Sequence, residues 1–145
     1  MLSRDFSEFI ASLNAREVRY LIVGGYAVAF HGHPRYTKDL DVWVERTPEN
    51  AERLLRALGD FGFGGVGLTA EDFLVPDRVV QLGYPPARID LLTSCEGVDF
   101  EPAYARRETL EVGGVAASFI GIEELRQNKR ALGRHQDLAD LDRLE

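Results

Sequence analysis

The chain has 145 residues, 45% hydrophobic and 28% charged, the composition of an ordinary globular domain rather than a disordered or fibrous one. Its formal net charge of −7 argues against a broad electrostatic grip on nucleic acid, while leaving room for a local basic patch. No apolar run approaches the roughly 20 residues that span a membrane, the start Met1-Leu2-Ser3-Arg4-Asp5-Phe6 lacks an apolar signal-peptide core, and the lone Cys95 excludes an internal disulfide, so a reducing cytoplasm is expected.

Residues 5–15 form an expected amphipathic helix, with Phe6, Phe9, Ile10 and Leu13 on one face. Residues 19–23 read as a buried strand, 26–31 as a short helix and 39–45 as a second strand. Thr47-Pro48-Glu49 is a helix start: a Thr cap, Pro at the first helical position and an acid in the first turn. That helix is expected to reach about Asp60, burying Ala51, Leu54, Leu55 and Leu58. Strands follow at 78–83 and 88–93 around Tyr84-Pro85-Pro86, and a hairpin at 109–112 and 115–119 turns on Gly113-Gly114. A helix from Gly121 to about Leu132 ends at Gly133, and 137–144 forms a last short helix. With no internal repeat or linker, 1–145 reads as a single α/β or α+β domain with a mixed sheet.

The strand at 39–45 carries the sharpest chemical signal. Leu40, Val42 and Val44 share one face; Asp39, Asp41, Trp43 and Glu45 share the other. The two aspartates therefore stand side by side, their Cα atoms roughly 6.5–7 Å apart. Paired carboxylates repel, and a divalent cation with oxygen ligands would relieve them; the alternative is a solvated strand face. Upstream, Leu21-Ile22-Val23 runs into Gly24-Gly25 and then an apolar helix start. Glycine there lets backbone approach a ligand closely, and free N–H groups suit phosphate.

These segments resemble the nucleotidyltransferase superfamily that includes DNA polymerase β. The match is Val23-Gly24-Gly25, a spacer, and Asp39-Leu40-Asp41, preceded by Arg35-Tyr36-Thr37. The nearest resemblance is to small bacterial members of toxin–antitoxin and abortive-infection loci. It implies a minimal nucleotidyltransferase fold: a mixed, mostly antiparallel sheet flanked by helices. It also implies a third carboxylate on a later strand, for which Asp90 in Arg88-Ile89-Asp90-Leu91-Leu92 is the candidate. The competing reading of Asp90 is a surface pair with Arg88 on the same face.

On that resemblance Asp39, Asp41 and Asp90 are the expected catalytic and metal-binding residues, holding Mg²⁺ or Mn²⁺. Gly24, Gly25, Arg35, Thr37 and Lys129 are the expected nucleotide-binding residues. Arg134 and Asp137 are candidates to assist, Asp137 alternatively serving as the cap of the last helix. The expected reaction moves a nucleoside monophosphate from an NTP such as ATP to a hydroxyl of RNA, tRNA or protein. Expected partners are the NTP, that acceptor, a helical partner protein or a second copy of the chain, and no membrane. A nucleotide-binding or antitoxin-like module with little catalysis is the alternative; a metal-dependent phosphatase or nuclease ranks last, because it leaves Gly24-Gly25 unexplained.

Several features read as bystanders. Gly62-Phe63-Gly64-Gly65-Val66-Gly67 fits a dinucleotide fingerprint but follows a helix instead of a strand, so it reads as a connection. His31 and His33 read as solvent-exposed loop residues, and Cys95 lacks the positioned base a nucleophile needs. Glu71-Asp72 and Glu123-Glu124 read as solvated helix-start charges.

Overall fold

The structure is a computed structural model that describes residues 4–32, 39–63, 67–83 and 88–144. The described residues form six α-helices interspersed with the strands of a six-stranded open sheet. The helices are α1 (Arg4–Ala15), α2 (Gly24–Phe30), α3 (Pro48–Phe61), α4 (Phe100–Ala105), α5 (Ile122–Leu132) and α6 (His135–Leu144). The strands are β1 (Tyr20–Val23), β2 (Leu40–Val44), β3 (Val79–Leu82), β4 (Ile89–Leu92), β5 (Glu108–Val112) and β6 (Val115–Phe119). The sheet order is β3-β4-β2-β1-β6-β5. Three pairings are antiparallel, β1–β2, β3–β4 and β5–β6, and two are parallel, β1–β6 and β2–β4. This is the mixed, mostly antiparallel α+β architecture expected from the sequence.

Both faces of the sheet are covered. On one, Tyr20, Ile22, Leu40, Val42, Val44 and Leu91 pack against Phe6, Phe9, Ile10 and Leu13 of α1 and Leu54 and Leu58 of α3. On the other, Leu21, Val23 and Trp43 meet Ala27 and Val28 of α2, Ala103 of α4, Leu125 of α5 and Leu144 of α6. Trp43, on the polar face of the strand pattern, is thus fully buried, with its ring edge-on to Phe100 at 5.0 Å. Burying an indole of this size contributes on the order of 2–3 kcal/mol.

Local chemistry fixes the joints. Thr47 caps α3, its hydroxyl accepting from the Asn50 amide at 3.2 Å, and Gly62 ends it in the left-handed conformation at φ 103°. Asn50 is buried and clamps the outer ends of β1 and β2. Its side-chain amide donates to the carbonyls of Arg19 and Glu45, both at 3.0 Å, and its oxygen accepts from the Arg19 N–H at 2.7 Å. A buried amide with all these bonds made costs little and pins the loop geometry. Gly97 lies hard against α5: a Cβ there would come within 2.6 Å of the Ala131 methyl.

The sequence pattern overlooks two elements. One is the 3₁₀ turn Ala70–Phe73, whose Thr69 and Asp72 form a reciprocal cap and whose Phe73 is fully buried. The other is α4, in which Pro102 sits in the first turn, where a missing N–H costs nothing. Two boundaries also move: α2 begins at Gly24 rather than residue 26, and α6 at His135 rather than residue 137.

Candidate active site

Strand pairing assembles the carboxylates. The parallel register between β2 and β4 sets Asp41 opposite Asp90, and the antiparallel register between β1 and β2 sets Val23 opposite Asp41. Asp39 precedes β2 by one residue and shares the face of Asp41. Gly24 follows β1 directly, at φ 67°, against the Asp41 carboxylate. A Cβ at Gly24 would stand 2.2 Å from Asp41 Oδ2. Glycine is required here twice over, for its backbone angle and for that closeness.

The electrostatics are unbalanced. Burial, reinforced by the like charges of Asp90 and then Asp39, pushes the Asp41 carboxyl up to about 6, against partial relief from Arg88 and Lys129. Arg88 answers the charge on the other side. Its Nε and Nη2 donate to Asp90 Oδ1 and Oδ2 at 3.2 and 3.0 Å, and its Nη1 lies 3.8 Å from Asp39 Oδ2. Asp90 stands beside Asp41 and is paired with Arg88, but it is buried, so the pair is not the surface pair of the competing reading.

Asp41 borders a cavity of about 400 Å³ lined also by Gly24, Arg78, Ser94, Lys129 and Arg134, among others. A cavity of about 560 Å³ adjoins it, sharing Asp77, Ser94, Cys95 and Glu96 and running out past Trp43 and Phe100. Lys129 is buried, its ammonium 3.4 Å from Asp137 and 3.3 Å from Asp140. Asp137 also accepts from the Arg134 backbone N–H at 3.2 Å and from its guanidinium. Burial acts to raise the Asp137 carboxyl, but the bonds and charges of Arg134 and Lys129 outweigh it and hold the group below the usual carboxylate range. Asp137 therefore orients both cations. It occupies the first turn of α6 rather than the cap position.

Of the expected site residues, the structure brings together Gly24, Asp39, Asp41, Asp90 and Lys129, with Gly25 buried in the first turn of α2. Arg35 and Thr37 lie outside the described residues, as does His33. Three assignments change. The His31 side chain is nearly enclosed, its Nε2 2.8 Å from the Ile120 carbonyl and its Nδ1 3.6 Å from Glu108, because it closes α2 against the end of β6. Glu124 is buried and bonded to Arg106 at 2.9 Å, since α5 turns that face inward. Asp72 caps Thr69 and pairs with Arg78 at 3.0 Å. Cys95 remains inert: burial pushes its thiol up to about 12. Sequence reasoning paired Arg88 with Asp90 but missed its approach to Asp39, which depends on the β2–β4 register.

The donor chemistry suits a hard divalent cation: three carboxylates in one cluster, one of them loaded by its neighbours. Among the described residues, no three His, Cys, Asp or Glu side chains are grouped so as to hold a metal ion as they stand. Both oxygens of Asp90 are bonded to Arg88 in this arrangement.

No protein-family model and no curated protein matches the chain. Two solved structures resemble it in fold. One is a provisionally named nucleotidyltransferase from Thermotoga maritima, with TM-score 0.66 and 15% identity over 97% of this chain and 89% of that one. The other is an antigenic nucleotidyltransferase-like protein from Paracoccidioides brasiliensis, with TM-score 0.54 and 20% identity over 99% of this chain and 77% of that one. At these identities the likeness is one of architecture, and the chain shares the fold of both.

Proposed function

We propose that the chain is a divalent-metal-dependent nucleotidyltransferase, residues 1–145 serving as one domain. The observation that carries this reading is the register of Asp41 against Asp90 with Gly24 pressed onto Asp41, at the wall of a cavity that also holds Lys129 and Arg134. In this reading Asp39, Asp41 and Asp90 hold Mg²⁺ or Mn²⁺, which when bound supplies Lewis-acid activation of the triphosphate and of the attacking hydroxyl. The backbone of Gly24 and Gly25, with Lys129, Arg35 and Thr37, holds the phosphates in line. Asp90 takes the proton of the acceptor hydroxyl as its oxygen bonds the α-phosphorus and the bond to the β-phosphate oxygen breaks, releasing pyrophosphate. The adjoining cavity gives room for the acceptor, an RNA or tRNA end or a protein hydroxyl. The setting we propose is a toxin–antitoxin one in the cytoplasm, with a helical partner or a second copy supplying recognition.

The test is transfer of label from each α-labelled NTP, with Mg²⁺ or Mn²⁺, to tRNA or lysate protein. Label that appears with wild type and disappears with Asp41→Asn supports the reading; no transfer and no pyrophosphate from any NTP overturns it. The engagement of Asp90 by Arg88 favours one competitor, a nucleotide-binding or antitoxin-like module without turnover. That competitor predicts NTP binding with no pyrophosphate release.

A further inference from the structure

Asp90 does not face the site freely. Both its oxygens are engaged by one guanidinium, and that same group stands 3.8 Å from Asp39. The main chain of Arg88 is fixed, because its carbonyl accepts the Leu40 N–H at 3.1 Å. Its side chain is the more solvent-accessible partner, 34% exposed against 9% for that of Asp90, so water and solutes reach the guanidinium. The guanidinium can therefore leave while Asp90 stays where the sheet puts it. It is also the group best matched to phosphate, since its planar fork bonds two phosphate oxygens as it now bonds two carboxylate oxygens.

We propose that Arg88 is an exchangeable internal counter-cation, which occupies Asp90 until a divalent cation arrives with a nucleoside triphosphate and then passes to the triphosphate. The inference rests on the metal-dependent reading above and adds its order of assembly. A divalent ion carries twice the charge of the guanidinium and competes for the same oxygens. Alone, it must expel Arg88 into water. Accompanied by a polyphosphate, it leaves Arg88 with a new anionic partner, so nucleotide and metal bind cooperatively.

Titration calorimetry of Mn²⁺ into the full chain, with and without a non-hydrolysable ATP analogue, tests this without any turnover. Arg88→Ala should bind Mn²⁺ alone roughly tenfold tighter than wild type, the scale of losing one competing charge-assisted contact. Wild type should gain affinity when the analogue is present, and Arg88→Ala should lose most of that gain. Arg88→Lys should fall between them, because an ammonium is a point charge that does not fork across both oxygens. It also carries the comparison should Arg88→Ala fail to fold. Equal Mn²⁺ affinity in wild type and the Arg88 variants, or an equal nucleotide-driven gain in all of them, overturns the proposal. Asp41→Asn separates the two levels. If it abolishes Mn²⁺ binding while the Arg88 variants change nothing, the exchange fails and the metal site stands; if wild type binds no Mn²⁺ with or without nucleotide, both fail.

Discussion

Two charge clusters reach the same cavity, one through Asp41 and the other through Lys129 and Arg134, and they are built in opposite ways. The Asp39, Asp41 and Asp90 cluster sets three carboxylates against one guanidinium, and the Asp41 carboxyl is driven up to about 6. The cluster on α5 and α6 sets Asp137 and Asp140 against Lys129 and Arg134, and the Asp137 carboxyl is held below its usual range. In the second cluster each acid lies against a cation of the protein, Lys129 between Asp137 and Asp140 and Arg134 on Asp137. In the first, like charges crowd Asp41, and Arg88 and Lys129 only partly relieve them. Buried carboxylates held close together at a cost to the fold are the usual mark of a functional site.

The contrast can be broken at several points. Asp41→Asn should give the largest effect, lowering nucleotidyl transfer by roughly 10³-fold or more, the scale of losing a charge that holds metal against the reacting phosphate. Steady-state pyrophosphate release measures it. In the balanced cluster, Asp137→Ala should lower stability at pH 7 by about 3 kcal/mol, because two cations lose a partner and Lys129 is buried. The Asp137 carboxyl is depressed in the fold, so its contribution is present above the ordinary carboxylate pKa. It fades as pH falls through the depressed value, and urea midpoints of wild type and variant should converge in acid.

The same Asp41→Asn variant should behave oppositely in stability. A carboxyl raised to about 6 weakens the fold once it is ionised, fully above pH 6 and not at all below its ordinary value. Free of divalent metal at pH 8, Asp41→Asn should therefore be more stable than wild type by about 1–3 kcal/mol, and the gain should vanish as pH drops toward 4. Gly24→Ala should cost about 1–2 kcal/mol by thermal melting, through its positive φ and its collision with Asp41. The smallest effect belongs to Arg16→Ala. It removes a 2.7 Å surface pair with Asp60, both side chains partly in water, and the melting temperature should scarcely move.

Much of this arrangement was legible in the chain. Period-2 alternation placed Leu40, Val42 and Val44 in the core and Asp41 with its neighbour on the other face, and Gly24-Gly25 marked the turn. Thr47-Pro48-Glu49 gave the start of α3 to the residue. What was not legible depends on contacts distant in sequence. The burial of Trp43, Glu124 and Lys129 is decided by which helices land on the second face of the sheet, and a single polar residue in a pattern does not announce its partner. α4 hid because six residues hold too few turns to show a period, although Asp99 followed by an early proline is a start signal. The double engagement of Arg88 needed the β2–β4 register, which local pattern does not contain.

That register has a kinetic side. Asp41 and Asp90 lie on strands separated by α3, the 3₁₀ turn and β3, so in the unfolded chain their charges do not meet. The repulsion switches on only as β4 docks against β2, a non-local parallel pairing of the kind that forms slowly. The site thus places an electrostatic brake on the closing of the sheet, with Arg88 entering alongside Asp90 to ease it. On the metal-dependent reading proposed above, a divalent ion held by these carboxylates would release the brake further and so speed the chain's own folding.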